Sequence, residues 1–407
     1  MIQSGSPAWW RMTLALCVAS FMVFSNLYVT QPMLPMLARE FGVSPLQAGY
    51  SFTVSTLALG VSLLIYGPLS DAIGRRWLMI GSMLGVVLCT IALSRVEDYD
   101  HLLLWRGLQG LCLGGLPAMA LAYMADEFEP PALLSAVGLY IAANSLGGIG
   151  GRLIGGFAGE YLGWSNAFLA IGALGLLLWM LVFWLLPAPQ GFRPRPLHPA
   201  SMARDLGRHL RTPKLLIAYL IGGLNFMIFV NQYSFITFVL EADPWNLSTS
   251  WLGMLFLTYL TGTVGSSLSG RMGNRFGQPQ CMVTGSLLLM VGTLVTLTPW
   301  LPTIILGFFI NSFGFFFTHS TASAWVSRNA SHAKASATSL YLVFYYTGAS
   351  VGGLYLNLFW QWQHWQGVVV GSLLVLGITA ILGWQLLQMR KREQAHRPDH
   401  RAQPEAA

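Results

Sequence analysis

Two arginines and one histidine stand among residues that leave little room for water. Arg106 interrupts LLLWRGLQGLCLGG (102–115), Arg152 interrupts GGIGGRLIGG (147–156), and His319 lies in FFFTHSTASAW (315–325). A guanidinium offers a planar fork of N–H donors that fits a carboxylate or vicinal hydroxyls. An imidazole, with an ordinary pKa near 6.5, can load and release a proton across a physiological gradient. Together these groups suit binding and proton movement. Further polar side chains recur in apolar surroundings: Asn26 and Gln31, Asn225 and Gln232 seven apart and hence on one helix face, Tyr341 and Tyr345. They read either as the wall of a wet central cavity or as glue between helices. His319 is equally read as a neutral ring satisfied by the hydroxyls of Thr318, Ser320 and Ser323.

The elements that must hold these groups are membrane helices. Of 407 residues 54% are hydrophobic and only 9% charged, too few to cover a water-soluble surface. Twelve apolar stretches, near 12–37, 46–67, 77–94, 101–124, 132–159, 163–186, 214–240, 248–269, 279–298, 301–325, 334–358 and 363–388, are each long enough to cross a bilayer. With the N-terminus inside, eighteen of the 22 lysines and arginines fall on the cytoplasmic side and only Arg39 and Arg95 outside. That asymmetry places both termini in the cytoplasm, and it leaves the net charge of +7 as a matter of topology, with no nucleic-acid partner implied. Cys17, Cys89, Cys112 and Cys281 lie inside spans without CxxC spacing and read as small apolar residues. No metal set, cofactor motif, P-loop, HExxH or GxSxG is present, so the chain reads as a non-enzyme without a nucleotide site.

The chain is written twice. SAVGLYIAANSLG (135–147) matches SATSLYLVFYYTG (336–348) at an offset of 201, and GPLSDAIG (67–74) matches GRMGNRFG (270–277) at 203. The expected organisation is an N-terminal six-helix half (1–186), a cytoplasmic linker (187–213), a C-terminal six-helix half (214–388) and a disordered cytoplasmic tail (389–407). Gly147, Gly151, Gly155 and Gly159 form a ridge without side chains on span 5, and Gly262, Ser266 and Gly270 form one on span 8. Such ridges let helices approach and slide, either between halves or within one half. On span 5, Ser145, Gly148, Gly156 and Gly159 lie within about 40° of Arg152, with Leu146, Leu153 and Phe157 opposite. Arg152 therefore points away from lipid, and it and Arg106 are expected to look into one pocket. Glu160, cavity water, backbone carbonyls or the solute itself are the groups able to offset the charge of Arg152.

GPLSDAIGRR (67–76) resembles the signature loop of the major facilitator superfamily, matching at Gly67, Leu69, Asp71, Gly74, Arg75 and Arg76. Leu102, Arg106, Gln109, Gly110 and Gly114 resemble the span 4 motif of proton-coupled members. The run 147–156 is similar to the glycine-rich antiporter motif, with Tyr140 where a glycine and Arg152 where a proline is expected. The resemblance implies an all-α membrane protein of twelve transmembrane helices in two pseudo-symmetric halves, closest to bacterial sugar-efflux-like and drug:proton antiporter-like permeases. It implies that Asp71 clasps the opposite half in the outward-open state, unequally with its second copy, where Asn274 stands. It also implies that Arg106 bonds to span 1 and takes part in proton coupling.

The function expected is secondary active transport by alternating access: proton-coupled efflux of a small organic solute, sugar-like, anionic or drug-like. Proton-coupled import or facilitation of a small organic anion is the alternative, and a non-transporting membrane sensor a distant one. Arg152, Asn26, Gln31, Asn225, Gln232, Tyr341 and Tyr345 are the expected cavity residues, and His319, Arg106, Asp126 and Glu127 the coupling residues. No acidic residue stands in span 1, which argues against cationic cargo. The partners are then solute, protons and lipid, for a monomer in the bacterial inner membrane.

Overall fold

The computed structural model describes residues 2–191 and 199–395. Helices begin where capping chemistry supplies acceptors for otherwise orphaned N–H groups. Ser6 caps α1 (Pro7–Tyr28), accepting the Trp9 N–H at 3.2 Å. Ser44 and Gln47 form a capping box on α3 (Pro45–Ile73), and Asp98 caps α5 (Tyr99–Leu113). Both α1 and α3 carry proline at the first position, where a missing N–H costs nothing.

The described residues form twelve membrane-spanning segments. Span 1 is α1, a 3-10 turn at Gln31–Met33 and α2 (Leu34–Phe41), broken where Pro32 and Pro35 supply no N–H. There follow α3, α4 (Arg75–Leu93), α5 with α6 (Gly115–Glu127), α7 (Pro130–Leu162) and α8 (Trp164–Leu185). The second set is α10 (Pro213–Glu241), α11 (Thr249–Met254) continued by α12 (Tyr259–Phe276), α13 (Gln278–Val295), α14 (Leu301–Asn329) and α15 (Lys334–Ala395). The last doubles back at Gln363 and His364 (φ 45°) and so provides two spans. Large apolar side chains on the perimeter stay exposed, among them Leu146 and Phe157, the face of α7 opposite Arg152.

One expectation needs correction: the chain past Met389, expected to be disordered, continues as helix to Ala395. The stretch 187–213 between the halves holds a twelve-residue helix, α9 (Pro199–Leu210). Residues 192–198 of the linker and 396–407 of the tail lie outside the described residues.

The duplication is visible in backbone and packing. Gly74 (φ 103°, ψ 148°) and Gly277 (φ 101°, ψ 145°) turn the chain identically between the two helices they join. Such angles favour a residue without Cβ. Gly147 and Gly151 of α7 meet the backbone of α1: a β-carbon at Gly151 would fall 2.3 Å from the Ser25 carbonyl oxygen. Gly348 and Gly352 of α15, offset by 201, meet α10 in the same way, at Gly223 O and Met227 O. Gly155 likewise meets Val29 O, so the ridge on span 5 packs mainly within its own half. The span 8 ridge behaves similarly, Gly262 against Phe316 and Ser266 accepting a bond from Ser320, both on α14.

A buried amide cluster also occurs twice. In the first half Gln109 donates to Thr90 (2.6 Å), which donates to Asn26 (2.6 Å). In the second, Asn311 donates to Gln232 (2.6 Å), which donates to Thr293 (3.0 Å). Asn225 donates to Ser286 (3.3 Å) and accepts from Thr379 (3.2 Å). Asn26, Asn225 and Gln232 thus tie helices together within each half and do not line the cavity, a correction to their expected place. In hydrocarbon a buried amide left without partners is costly, so these clusters fix helix register.

Candidate functional site: a central cavity with a buried arginine

Between the halves lies a cavity of about 620 Å³, the size of a small organic molecule. It runs from Tyr28, Arg152 and Tyr259 at mid-bundle to Ser327 and Thr338, close to the end of the bundle that carries Ile2 and Ala395. A crevice of about 10 Å³ beside Pro45, Asn231 and Gly353 has room for one water at most.

At the other end the halves are closed on each other. Arg39 forms an ion pair with Glu241. Gln31 donates to Ser234 (3.2 Å) and to the Val230 carbonyl (3.4 Å). Glu160 accepts the backbone N–H of Ser250 (2.8 Å). Gly156 of α7 and Gly253 of α11 bring the two backbones together: a β-carbon at Gly156 would lie 2.9 Å from Thr249 O. Of the four-spaced ridge only Gly159, against Met33 and Thr249, reaches this seam beside Gly156 and Gly253.

Arg152 is 1% exposed and has no carboxylate partner among the described residues. Its compensation comes from dipoles and ring faces. Nε donates to Gln31 Oε1 (2.7 Å), Nη1 to the Gly148 carbonyl (3.0 Å), and Nη2 to the Tyr259 hydroxyl (3.2 Å). The guanidinium carbon lies 3.8 Å from the ring centre of Tyr28, 4.5 Å from Tyr259 and 4.6 Å from Phe256. Cation–π contacts of this kind strengthen when water is excluded. Three of the five N–H bonds of the guanidinium therefore have protein acceptors, which leaves two for a ligand. Glu160, considered as a counter-charge, is engaged instead with Ser250.

Both cavity walls mix polar and apolar groups. The first half presents Tyr140, Asn144, Ser145 and Arg152 beside Phe24, Tyr28 and Leu121, with Asn144 held by a bond from Ser20. The second presents Ser266, Ser320 and Ser323 beside stacked rings: Phe226 on Tyr345 (3.6 Å between centres, 11°) and Phe229 on Phe315 (3.9 Å, 4°). His319 sits beside these rings, its Nδ1 2.8 Å from the Tyr341 hydroxyl. That hydroxyl, and not those of Thr318, Ser320 or Ser323, is its partner. Tyr345 and His319 line the cavity, while Tyr341 stands behind His319. Among the described residues no Asp or Glu belongs to the lining.

Arg106 is elsewhere. Fully buried within the first half, it donates to the carbonyls of Ser51 (2.8 Å), Asn26 (3.1 Å) and Leu27 (2.9 Å) and to Gln109. It reaches span 1 as expected, but it caps the end of α1 and does not look into the cavity. Asp126 and Glu127 lie at the terminal face. Asp126 pairs with Arg75, which also holds Asp71 of its own loop, four residues back. Arg76 donates to Leu186 O (3.0 Å). Glu127, 6% exposed, accepts the N–H groups of Gln190 (2.7 Å) and Gly191 (2.8 Å) and so fastens the start of the linker. In the second copy of the loop Asn274 accepts from Arg328 (3.3 Å).

Sequence reasoning missed Tyr28, Tyr259 and Phe256, the rings around Arg152. Only the high aromatic content, 13%, hinted at them.

Comparison with known proteins agrees with this architecture. The chain is 40% identical over 368 residues to the uncharacterized MFS-type transporter YybF of Bacillus subtilis, covering 90% of this chain and 91% of the relative. It is 37% identical over 386 residues to the inner membrane transport protein YnfM of Escherichia coli, covering 95% and 92%. A solved bacterial homologue of the human lysosomal transporter Spinster, in an inward-facing and unoccupied conformation, superposes with a TM-score of 0.75 at 16% identity, over 94% of this chain and 98% of the other. A family model of the Major Facilitator Superfamily matches residues 16–352 and again 224–406. The chain belongs to the Major Facilitator Superfamily and is a transporter of the membrane, not an enzyme.

Proposed function

We propose that this transporter works by alternating access and exports a small organic anion with an apolar, ring-bearing body in exchange for protons. The observation that carries the reading is Arg152: a guanidinium in the cavity wall, almost wholly buried, without a carboxylate partner among the described residues and with two N–H groups to spare. A buried unpaired charge is stable only where something offsets it, and an arriving carboxylate completes what the dipoles and ring faces begin. The opposite wall of stacked rings accepts a flat apolar body. A lining without carboxylates disfavours cations.

The termini belong in the cytoplasm of a bacterial inner membrane on the distribution of lysine and arginine. The cavity then opens inward, with the periplasmic seam closed, and Asp71 is turned to Arg75 because its partner half is swung away. His319, bonded to Tyr341 and in contact with the cavity, is the group to carry the proton.

The test is exchange in reconstituted vesicles under an imposed pH gradient, with labelled benzoate, glucose and tetraphenylphosphonium as anionic, neutral and cationic probes. Benzoate should move uphill against the proton flow and Arg152→Gln should abolish that movement. Transport of either other probe in preference to benzoate, or an unimpaired Arg152→Gln, refutes the reading.

A further inference from the structure

Arg152 stands at the junction of two structures: the floor of the cavity and the closed seam beyond it. Its Nη2 bond to Tyr259 runs from α7 to α12, from one half to the other, across 107 positions of sequence. Its Nε bond fixes Gln31 Oε1, and the amide nitrogen of the same Gln31 crosses the seam to Ser234 and Val230 on α10. One guanidinium thus orients two of the cross-seam contacts, beside the Arg39–Glu241 pair and the Glu160–Ser250 bond. The backbones beside it are as close as they can be, since a β-carbon on Gly253 would fall 2.9 Å from Arg152 O. The duplicated seam, between α3 and α15, lacks the device. At the positions corresponding to Arg152 and Tyr259 stand Gly353 and Thr56, and Thr56 meets Ser350 through neutral hydroxyls at 3.0 Å. The charge is an addition to one seam only.

We infer that Arg152 is the tie that holds the far seam shut, and that the solute's own carboxylate undoes it. The clause on the carboxylate rests on reading Arg152 as the solute's partner; the tie itself does not. A carboxylate takes the two open N–H groups best as a coplanar bidentate pair. Drawing the fork to that plane pulls Nη2 from Tyr259 and Nε from Gln31. Gln31, no longer held, releases Ser234 and Val230. Occupancy then lowers the cost of opening the seam, and an empty carrier stays closed there. A ligand shifts such an equilibrium only by its differential affinity for the two states, and the broken tie is where this difference arises.

The experiment reads seam opening directly. Nitroxide labels are placed at Arg95→Cys and Thr298→Cys, exposed loop positions at the far end of the two halves, in a chain whose four native cysteines are alanine. Distances are measured by double electron–electron resonance in lipid nanodiscs. Without any solute, Tyr259→Phe and Gln31→Met should each raise the ratio of long to short distances about tenfold, the effect of one hydrogen bond to a charged group. In the otherwise native chain millimolar benzoate should raise the same ratio, and its neutral isostere benzamide should not. Unchanged distances in both solute-free variants overturn the tie, whatever the carried solute proves to be. Opened variants with a native chain indifferent to benzoate overturn the release step.

Discussion

Replacing Arg106 by phenylalanine tests which of two opposed effects governs the interior of the first half. Burying a guanidinium without a counter-charge costs several kcal/mol, so removing one can stabilise a protein. Against this, α1 stops at Tyr28, and the Asn26 and Leu27 carbonyls near its end take their donors from Arg106, as does Ser51 O. Phenylalanine is the informative replacement because Phe308 stands three residues before Asn311 of the second amide cluster, as Arg106 stands three before Gln109 of the first. There α10 runs unbroken from Pro213 to Glu241, and the amide cluster stands without an arginine. Side-chain hydrogen bonds inside membranes average about 0.6 kcal/mol and reach about 1.7, so three of them are together about 2 to 5 kcal/mol. We expect capping to win and Arg106→Phe to be destabilised by about 2 kcal/mol or more, roughly thirtyfold in the folding equilibrium. Unfolding of purified protein in mixed micelles of increasing dodecyl sulfate fraction, followed by tryptophan fluorescence, supplies the comparison. An unchanged or raised midpoint would show that the broken helix needs no cap.

His319→Asn should keep solute counterflow but lose its dependence on a pH gradient, read in vesicles with and without a gradient; retained gradient-driven accumulation removes the imidazole from the proton path. At the linker, burial and the ring of His332, stacked at 4.6 Å, hold His209 below its ordinary 6.5, with Asp205 and its partner Arg208 alongside. A depressed histidine favours its neutral form in the folded state, so its contribution is intact above about pH 6.5 and falls as pH drops below. The thermal midpoint should therefore fall between about pH 7 and pH 5, and less so in His209→Phe; equal falls would exclude this residue. Glu127→Ala should leave Gln190 and Gly191 without their acceptor and speed proteolytic cleavage of the linker severalfold. Unaltered cleavage would mean that the carboxylate does not anchor it.

Span number and duplication could be read from sequence because both rest on bulk quantities, apolar length and repeated spacing. The direction of Arg152 was legible too, since helical periodicity separates it from Leu146 and Phe157. The orientations of Asn26, Asn225 and Gln232 were not: a polar side chain in a span can face a neighbouring helix or a cavity, and the sequence pattern is the same for both. Gly147, Gly151 and Gly155 posed the same ambiguity, resolved only by which backbone approaches them. The partners of Arg152 and His319 come from other helices, Tyr259 and Tyr341, and no local spacing encodes such meetings. The helix at Pro199–Leu210 hid in a basic, proline-flanked stretch whose charge outweighed its amphipathic period.

Because Gly147, Gly151 and Gly155 set α7 directly on the backbone of α1, neither helix has room to shift alone. Any swing of Arg152 away from the second half must carry Gln31 with it as one solid piece. The far gate should consequently behave as a toggle, fully latched or fully free, with no partly opened state through which solute could leak.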